Sequence, residues 1–401
     1  MKNIKLLLLT FSVFLISDIW PSPTEPTVSE EKPTDILFWS SEQKEKGFKR
    51  IDEIIPSHPI KKGKYIYHLE TKLIDLSSVT YDLYGKSYSI KDYFIQLRVA
   101  GLLVVHKGNI VYERYGLNND KNSRWISFSV AKSVTSMLLG AAIKDGYINS
   151  VEDPVTNYLP QLVGSSYENV SIKNLLQMSS GIDWNEDYSD PESDVSMAAA
   201  YNSTTLTNYL NKLPTNSKPG ELFNYNTGET NLVGGLVHSA IGNNLSAYLE
   251  QKIWQPFGME SDASWSVDEN HLLELGGCCI NATLRDYARI GLFAMNDGKL
   301  TDGTRVLPEG WMKESTTPSK GYRGYGYQWW LEDSMRTGEP SSFSALGIFG
   351  QMIWINPATE TIIVTHSAWP EADSRELNLH QFMLTRAIQG ALKNNGFNSS
   401  H

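Results

Sequence analysis

The amino-acid sequence predicts an α/β (α+β) fold in which an antiparallel sheet is flanked by helices and carries an inserted all-helical lobe. Two observations predict it. Strand-like runs occur near residue 100 and again after residue 325, while the segments between them are mostly helical in pattern. Strands from both ends of a chain around a helical middle are typical of mixed layered folds. With 401 residues, 41% of them hydrophobic, the chain is long enough to bury a large core.

The first strands are predicted in residues 101–116, which read GLLVVHKGNIVYERYG. Two β-rich runs around Lys107-Gly108-Asn109 indicate a hairpin. Apolar residues then recur at helical spacing over residues 130–141, and Asp145-Gly146 ends that pattern. A strand pair followed by a helix packed along one face is therefore expected here.

The remaining elements follow in order along the chain. Residues from roughly 150 to 300 carry helical or loop-rich patterns, which predict the inserted lobe. Three strand-like segments follow: YGYQWWLE, SALGIFGQMIWINP and ETIIVTHSAW, with a turn at Asn356-Pro357. LHQFMLTRAIQGALKNN closes the chain as an amphipathic helix.

The N-terminal region reads as an export signal followed by a tether. Lys2 and Lys5 precede an apolar run over residues 6–16, which is too short to span a bilayer but suits a signal peptide within residues 1–20. No A-x-A cleavage pattern follows, so an uncleaved membrane anchor is the alternative. Residues 21–49 are rich in Pro, Ser, Thr and Glu and predict a disordered tether before a domain over residues 50–401. We expect a periplasmic or secreted protein.

Charge and cysteine content exclude several classes of function. The net charge of -10 opposes binding to a phosphate backbone, so nucleic acid is not an expected partner. The only cysteines, Cys278 and Cys279, are adjacent, and neighbouring residues rarely reach disulfide geometry. No cluster of His, Cys or carboxylate residues has metal-ligand spacing, so neither a metal nor another cofactor is expected.

One candidate nucleophile stands at the start of the predicted helix. Ser129 and Lys132 form Ser-x-x-Lys, and residues three apart share a helix face, so the amine can reach the hydroxyl and act as its base. The spacing also occurs at Ser29–Lys32 and Ser41–Lys44, but both lie in the predicted tether, where water would keep the lysine charged. Taken alone, the motif is more often a surface lysine one turn into a helix.

Other nucleophile systems are missing from the sequence. No G-x-S-x-G motif occurs, which excludes the nucleophile elbow of α/β-hydrolases. His366 and Ser367 are adjacent in a predicted strand, so their side chains should point to opposite faces. Ser129 with Lys132 is the remaining candidate.

Several motifs follow Ser129 in a recognisable order: VSIKNLLQMSSGIDW, KPGELFNYNTGETNLVGGLV, WQPFGM, NATLRDYARIGLF and GYGYQWW. In sequence and spacing they resemble the serine hydrolases related to class C β-lactamases and penicillin-binding proteins, over roughly residues 85–390. GIDWNEDYSDPESDV and GIFGQMIWINP look most like the 6-aminohexanoate-oligomer hydrolase and esterase branch.

The resemblance implies a β-lactamase/transpeptidase-like fold with its active site between the sheet lobe and the helical lobe. It also implies roles: Ser129 would be acylated, Lys132 would be its base, and Tyr225 would pass a proton to the leaving group. Without the family, Tyr225 reads as a packing residue, because the chain has 20 tyrosines.

Two positions depart from the family pattern. Thr227 stands where relatives carry Asn or Ser after the tyrosine, which leaves its contact with the substrate or Lys132 open. Ile348-Phe349-Gly350 replaces the Lys-Thr-Gly or His-x-Gly triad, so the cation that attracts a β-lactam carboxylate is missing. A strand amide can still bind the oxyanion together with the Ser129 amide. Ile348 is the first candidate and Gly350 the second.

The resemblance suggests four further residues for the substrate site. Gln351 would line the same wall as Ile348, and Tyr188 would face the substrate from an acidic loop in which Asp187 and Asp190 could receive an amine. That loop reads equally well as an exposed acidic surface. Asn281 and Trp369 would edge the cleft.

The expected function is hydrolysis of small esters or linear amides through a Ser129 acyl-enzyme. Two alternatives stay open: a penicillin-recognising D-alanyl peptidase or β-lactamase, and a binding module of the same fold without turnover. Thr227 and Phe349, which depart from the family, motivate the second alternative.

Overall fold

The computed structural model describes residues 33–199, 203–270, 273–338 and 340–394. The signal peptide predicted in residues 1–20 and the tether residues 21–32 lie outside this part of the chain. Among the described residues, no helix combines the length and the apolar character needed to cross a membrane.

The strands lie in three antiparallel or mixed sheets. In chain order they are β1 Ser57–Ile60, β2 Glu70–Thr71, β3 Thr80–Leu83, β4 Lys86–Ser89, β5 Val99–His106, β6 Asn109–Tyr115, β7 Arg124–Ile126, β8 Ala263–Ser266, β9 Ile280–Thr283, β10 Trp330–Glu332, β11 Ser342–Gly347, β12 Gln351–Asn356 and β13 Thr361–Ser367.

The α-helices are mostly short, with three longer ones in the core and one near the C-terminus. They are α1 Ser41–Gly47, α2 Ile51–Ile54, α3 Ile90–Gln96, α4 Val130–Lys144, α5 Ile172–Leu176, α6 Asp194–Ala198, α7 Ser203–Leu210, α8 Thr227–Ile241, α9 Leu245–Leu249, α10 Gln255–Phe257, α11 Leu284–Met295, α12 Trp311–Ser315, α13 Ser334–Thr337 and α14 Arg375–Asn394. 3₁₀ turns occur at Pro33–Phe38, Phe48–Arg50, Val155–Asn157, Pro160–Leu162, Ile348–Gly350 and Pro357–Thr359, and a π-helical turn at Glu250–Trp254.

The main sheet confirms the predicted contribution of both ends of the chain. Its strand order is β10-β11-β12-β13-β5-β6-β2, and β13 from the C-terminal part pairs antiparallel with β5 from the N-terminal part. The predicted hairpin is present as β5 and β6, with Lys107 and Gly108 at positive φ in the turn.

Alternation along the strands divides the core into two layers. Leu103, Val105 and Ile353 belong to the core cluster that also contains α11 residues, while Leu102 and Val104 belong to the cluster that contains α14 residues. Successive strand residues point to opposite faces, so one buried sheet holds a helix on each side. The strands are therefore apolar at nearly every position rather than at every second one.

The helical lobe is shorter than predicted. Helices α5, α6 and α7 pack on α8, and α8 packs on α4, whose residues are buried from Val130 through Ala142. Residues 263–266 and 280–283 are not helical; they form β8 and β9 of a second sheet with order β1-β8-β9-β7. These two strands are only four residues long, and both contain buried polar residues, so their pattern did not indicate strands.

The tether prediction is wrong for residues 33–49. Ser40 and Gln43 form a reciprocal capping box that starts α1, and Trp39 and Phe48 are buried in the core. Lys44, predicted to be solvated, is 3% exposed, and burial lowers its pKa to about 8. The apolar residues of this otherwise polar segment pack against the core and hold the segment there.

The two adjacent cysteines also differ from expectation. Cys278 and Cys279 are joined by a disulfide. The Cys278 amide donates to the Leu275 carbonyl at 3.0 Å, so a tight turn directly precedes the disulfide.

Candidate active site

Ser129 lies at the junction of the second sheet and the central helix. Strand β7 ends at Ile126, and Phe128 follows with a positive φ of 44°. Ser129 is then the N-cap residue of α4. The Ser127 amide donates to Ile280 O at 2.7 Å and so ties this turn to β9. The Ser129 side chain makes no capping hydrogen bond to the helix, which leaves its hydroxyl available to Lys132.

Lys132 lies one turn further along α4 and is 1% exposed. Its Nζ donates at 2.9 Å to each of three acceptors: Ser129 Oγ, Thr227 Oγ1 and Gly277 O. Burial lowers the pKa of Lys132 to about 8, while the Glu186 carboxylate opposes that fall. The amine can therefore lose its proton close to neutral pH while it faces the serine hydroxyl.

Tyr225 lies beside this pair. Its ring stacks on Trp330 at 5.6 Å between centroids, and Lys132 Nζ lies 5.1 Å from its ring centroid. Burial raises the pKa of the Tyr225 phenol above its ordinary value, and the nearby Ser129 hydroxyl partly offsets that rise. The phenol therefore keeps its proton and can donate it within the site.

Thr227 and Glu186 extend the chain of hydrogen bonds beyond Lys132. Thr227 Oγ1 accepts from Lys132 and donates to Glu186, and the Thr227 amide donates to Glu186 Oε2 at 3.0 Å. Tyr188 donates its hydroxyl to Glu186 Oε1 at 2.6 Å, and Trp184 Nε1 donates to Oε2. The carboxylate thus accepts four hydrogen bonds and acts on Lys132 through one intervening hydroxyl.

Sequence reasoning missed Glu186. It lies in a loop that also contains Asp183, Asp187 and Asp190, and nothing in its spacing distinguishes it from these neighbours. The hydrogen bond that identifies it spans 41 residues of sequence. For Thr227, which the sequence left open, the structure gives a direct contact with Lys132.

Ser129 and Tyr225 open into a cavity of about 1090 Å³ between the main sheet and the helical lobe. Tyr188, Ile348 and Trp369, which the resemblance suggested for the substrate site, also line it. Six carboxylates line the cavity, whereas no Lys, Arg or His is found among its described lining residues; the six are Glu186, Asp187, Glu332, Asp333, Glu371 and Asp373.

Three predicted substrate-site residues do not line this cavity. The Gly350 carbonyl accepts from Thr365 Oγ1 at 3.0 Å, and Gln351 Nε2 donates to Ser367 O at 2.8 Å and to Phe349 O at 3.1 Å. Both residues brace the turn behind the cavity wall. Asn281 lies in β9 of the second sheet, and its Nδ2 donates to Oδ1 of Asp52 in α2 at 3.0 Å.

The turn at Ile348–Gly350 carries an aliphatic side chain, Ile348, at the first of the three positions, where the family motif has a cation. Phe349 has φ 60 and is fully buried, so its ring points into the core while Ile348 faces the cavity. Among the described residues, no group of His, Cys, Asp or Glu has the arrangement of a metal site.

The chain matches a known protein family over most of its length. The beta-lactamase family model matches residues 92–384. The chain is 30% identical to 6-aminohexanoate-dimer hydrolase of Paenarthrobacter ureafaciens over 295 residues, which is 68% of this chain and 73% of the relative.

Solved structures show the same fold. A Bacillus anthracis protein provisionally assigned as a 6-aminohexanoate-dimer hydrolase superposes with a TM-score of 0.80 at 21% identity, over 92% of this chain and 99% of the other. A class C β-lactamase variant gives a TM-score of 0.56 at 17% identity, over 74% and 95%. The chain therefore belongs to the β-lactamase family and is a serine hydrolase.

Proposed function

We propose that the protein hydrolyses small esters or linear amides through an acyl-enzyme on Ser129. The observation that carries this proposal is the 2.9 Å contact between Ser129 Oγ and a lysine amine that is buried at the edge of the cavity. A serine hydroxyl becomes a nucleophile when a neighbouring base removes its proton, and a lysine of lowered pKa is such a base.

Acylation follows from the positions of the side chains. Neutral Lys132 takes the Ser129 proton as Oγ attacks the substrate carbonyl, and the Ser129 and Ile348 amides bind the oxyanion. The tetrahedral intermediate collapses as the bond to the alcohol or amine breaks. Tyr225 gives its proton to that leaving group and recovers a proton from Lys132. Water then attacks the ester on Ser129 by the reverse sequence and releases the acid.

The charge of the cavity favours substrates with a cationic end. Glu332 and Asp333 are partly compensated by Arg386, whose guanidinium lies 3.1 and 3.4 Å from their oxygens. Glu371 and Asp373 also line the cavity and form no described ion pair, although the Glu371 charge acts on Lys44 and partly offsets the fall in the pKa of that lysine. A substrate carboxylate would be repelled, so we rank β-lactams and D-alanyl peptides below esters and linear amides that carry an amine.

Labelling and turnover together test the proposal. A fluorophosphonate probe should add one covalent label to the wild-type protein at Ser129 and none to Ser129→Ala. A panel of p-nitrophenyl esters, aminoacyl amides and a chromogenic cephalosporin should show turnover of the first two by wild type only. Folded protein that takes no label and hydrolyses nothing would refute the enzymatic mechanism, and rapid cephalosporin hydrolysis would overturn the substrate order.

A further inference from the structure

The N-terminal segment, residues 36–48, reaches the cavity that holds Ser129. Leu37 and Phe38 are among the cavity-lining residues. Phe38 is 49% exposed, although its neighbours Ile36 and Trp39 are buried at 7% and 4%. An apolar side chain that stays open to a cavity, between two residues that are buried in the core, is placed to contact whatever enters that cavity.

Phe48 anchors the other end of the segment beneath the catalytic backbone. It is fully buried, and its ring centroid lies 5.1 Å from that of Phe128 and 5.4 Å from that of Phe349. These two residues directly neighbour Ser129 and Ile348, and both have positive φ. Positive φ is unfavourable for a bulky residue, so packing from outside the turn is needed to hold it.

Lys44 joins the segment to two other residues of the cavity lining, Trp369 and Pro370. Its Nζ donates to Pro370 O at 2.7 Å and to Trp369 O at 3.3 Å, and both of those residues line the cavity. The same ammonium lies 4.3 Å from the Phe349 ring centroid. The Phe349 amide in turn donates to Ala372 O at 2.8 Å, so residues 369–372 are held from two sides.

We propose that residues 36–48 complete the active site: Leu37 and Phe38 form an apolar wall that binds the alkyl or aryl part of the substrate, and Lys44 positions that wall. This inference rests on the proposed function in taking the cavity to be the active site. Binding of a ligand to the apolar wall does not require that the protein hydrolyses it. It names the substrate class further, as a molecule with a cationic end and an apolar chain.

Binding of n-alkylammonium ions tests the wall without any bond to cleave. Affinities of the propyl to octyl members are measured by calorimetry on wild type and on the double variant Leu37→Ala/Phe38→Ala. Each methylene that reaches the wall should tighten wild-type binding by up to about fourfold. In the double variant the gain from butyl to octyl should shrink by about tenfold, with butylammonium affinity unchanged.

Ile95→Ala is the matched control, because Ile95 is 67% exposed but does not line the cavity. It should retain the wild-type dependence on chain length. The wall is refuted if the double variant keeps the full dependence, if Ile95→Ala loses it equally, or if wild type binds no alkylammonium ion. Loss of the dependence in the double variant supports the wall even where no ester is hydrolysed, so the two proposals can fail separately.

The positioning role of Lys44 is tested by measuring separately how its substitution changes KM and kcat. Lys44→Met keeps the side-chain length and removes the donor; it should raise KM for p-nitrophenyl octanoate about tenfold and change kcat for p-nitrophenyl acetate less than twofold. Lys44→Arg can still donate to both carbonyls and should restore the octanoate KM to within threefold. Equal loss in both variants and on both esters would show a general folding role and overturn the positioning role.

Discussion

The charge on Lys132 governs how readily Ser129 loses its proton. Glu186 stabilises the ammonium form through Thr227, so removing its charge should lower the pKa of Lys132. We expect kcat/KM of wild type to rise with pH around pH 8. In Glu186→Gln this rise should move to lower pH, as measured by the pH profile of ester hydrolysis.

Asp187→Asn provides the comparison for Glu186→Gln. Asp187 also lines the cavity, but its carboxylate accepts hydrogen bonds from Ser189 rather than from Thr227. Its profile should shift less than that of Glu186→Gln. A rise that stays in place or moves to higher pH in Glu186→Gln would contradict the role given to this carboxylate.

The same lysine should make stability depend on pH. Its pKa is about 8 in the folded protein and about 10.5 when solvated, so the unfolded chain binds more protons between these values and stability rises with pH. Relative to Lys132→Met, wild type should therefore lose about 2–3 kcal/mol of unfolding free energy between pH 10 and pH 7. Urea unfolding of both proteins at the two pH values measures it.

Lys144→Met, at the exposed end of the same helix, is the control for that difference. Its unfolding free energy should follow that of wild type at both pH values. If the gap between wild type and Lys132→Met does not widen as the pH falls, the buried amine is not titrating as described.

At the scale of single residues, the sequence predicted those site residues that are close together in the chain or that belong to a family motif. Ser129 and Lys132 lie three residues apart, and Tyr225 was found through its flanking PGELF and TGET segments. Glu186 was missed because only tertiary structure brings it to Thr227. Gly350 and Gln351 were assigned to the substrate wall, yet the Gly350 carbonyl and the Gln351 amide form hydrogen bonds with Thr365 and Ser367 of β13.

At the scale of elements, the turn at Ile348–Gly350 depends on the close packing of Gly350 against the indole ring of Trp369. Gly350 has φ +87, and a Cβ there would lie 2.2 Å from Trp369 Nε1. Because Trp369 lines the cavity, Gly350→Ala should displace it, reduce kcat/KM at least tenfold, and destabilise the protein by about 2–4 kcal/mol. Thermal unfolding and ester hydrolysis measure the two effects.

A substitution at Gly303 is the control that separates the effect of the clash from the effect of the backbone conformation. It also has φ +87, but a Cβ there meets no atom within 4 Å. Gly303→Ala should cost only about 1 kcal/mol and leave kcat/KM unchanged. Equal effects of the two substitutions would show that positive φ, and not contact with Trp369, is what the turn requires.

The elements that the sequence predicted correctly are those with strong periodicity. The β5–β6 hairpin and helix α4 have long apolar patterns bounded by turn residues. The N-terminal segment has no such pattern: Trp39 and Phe48 lie nine residues apart among charged residues. Their burial depends on partners far along the chain, such as Phe349, which composition does not reveal.

At the scale of the whole molecule, the net charge of -10 and the acidic cavity act in the same direction. The summed field should attract cations toward the cleft and repel anions. An ammonium-bearing ester should therefore have a higher kcat/KM than its neutral isostere, by roughly 3–10-fold at low salt. That advantage should fall as ionic strength rises, because added salt screens exposed charges.

Two double variants separate the local field from the total charge. Glu371→Gln/Asp373→Asn removes two carboxylates from the cavity lining, whereas Asp82→Asn/Glu168→Gln removes two exposed carboxylates elsewhere, so both change the net charge equally. Only the first should reduce the preference for the ammonium ester, by about threefold, with the neutral ester unaffected. Equal reduction by both variants would assign the preference to overall charge, and no reduction in either would contradict electrostatic selection at this site.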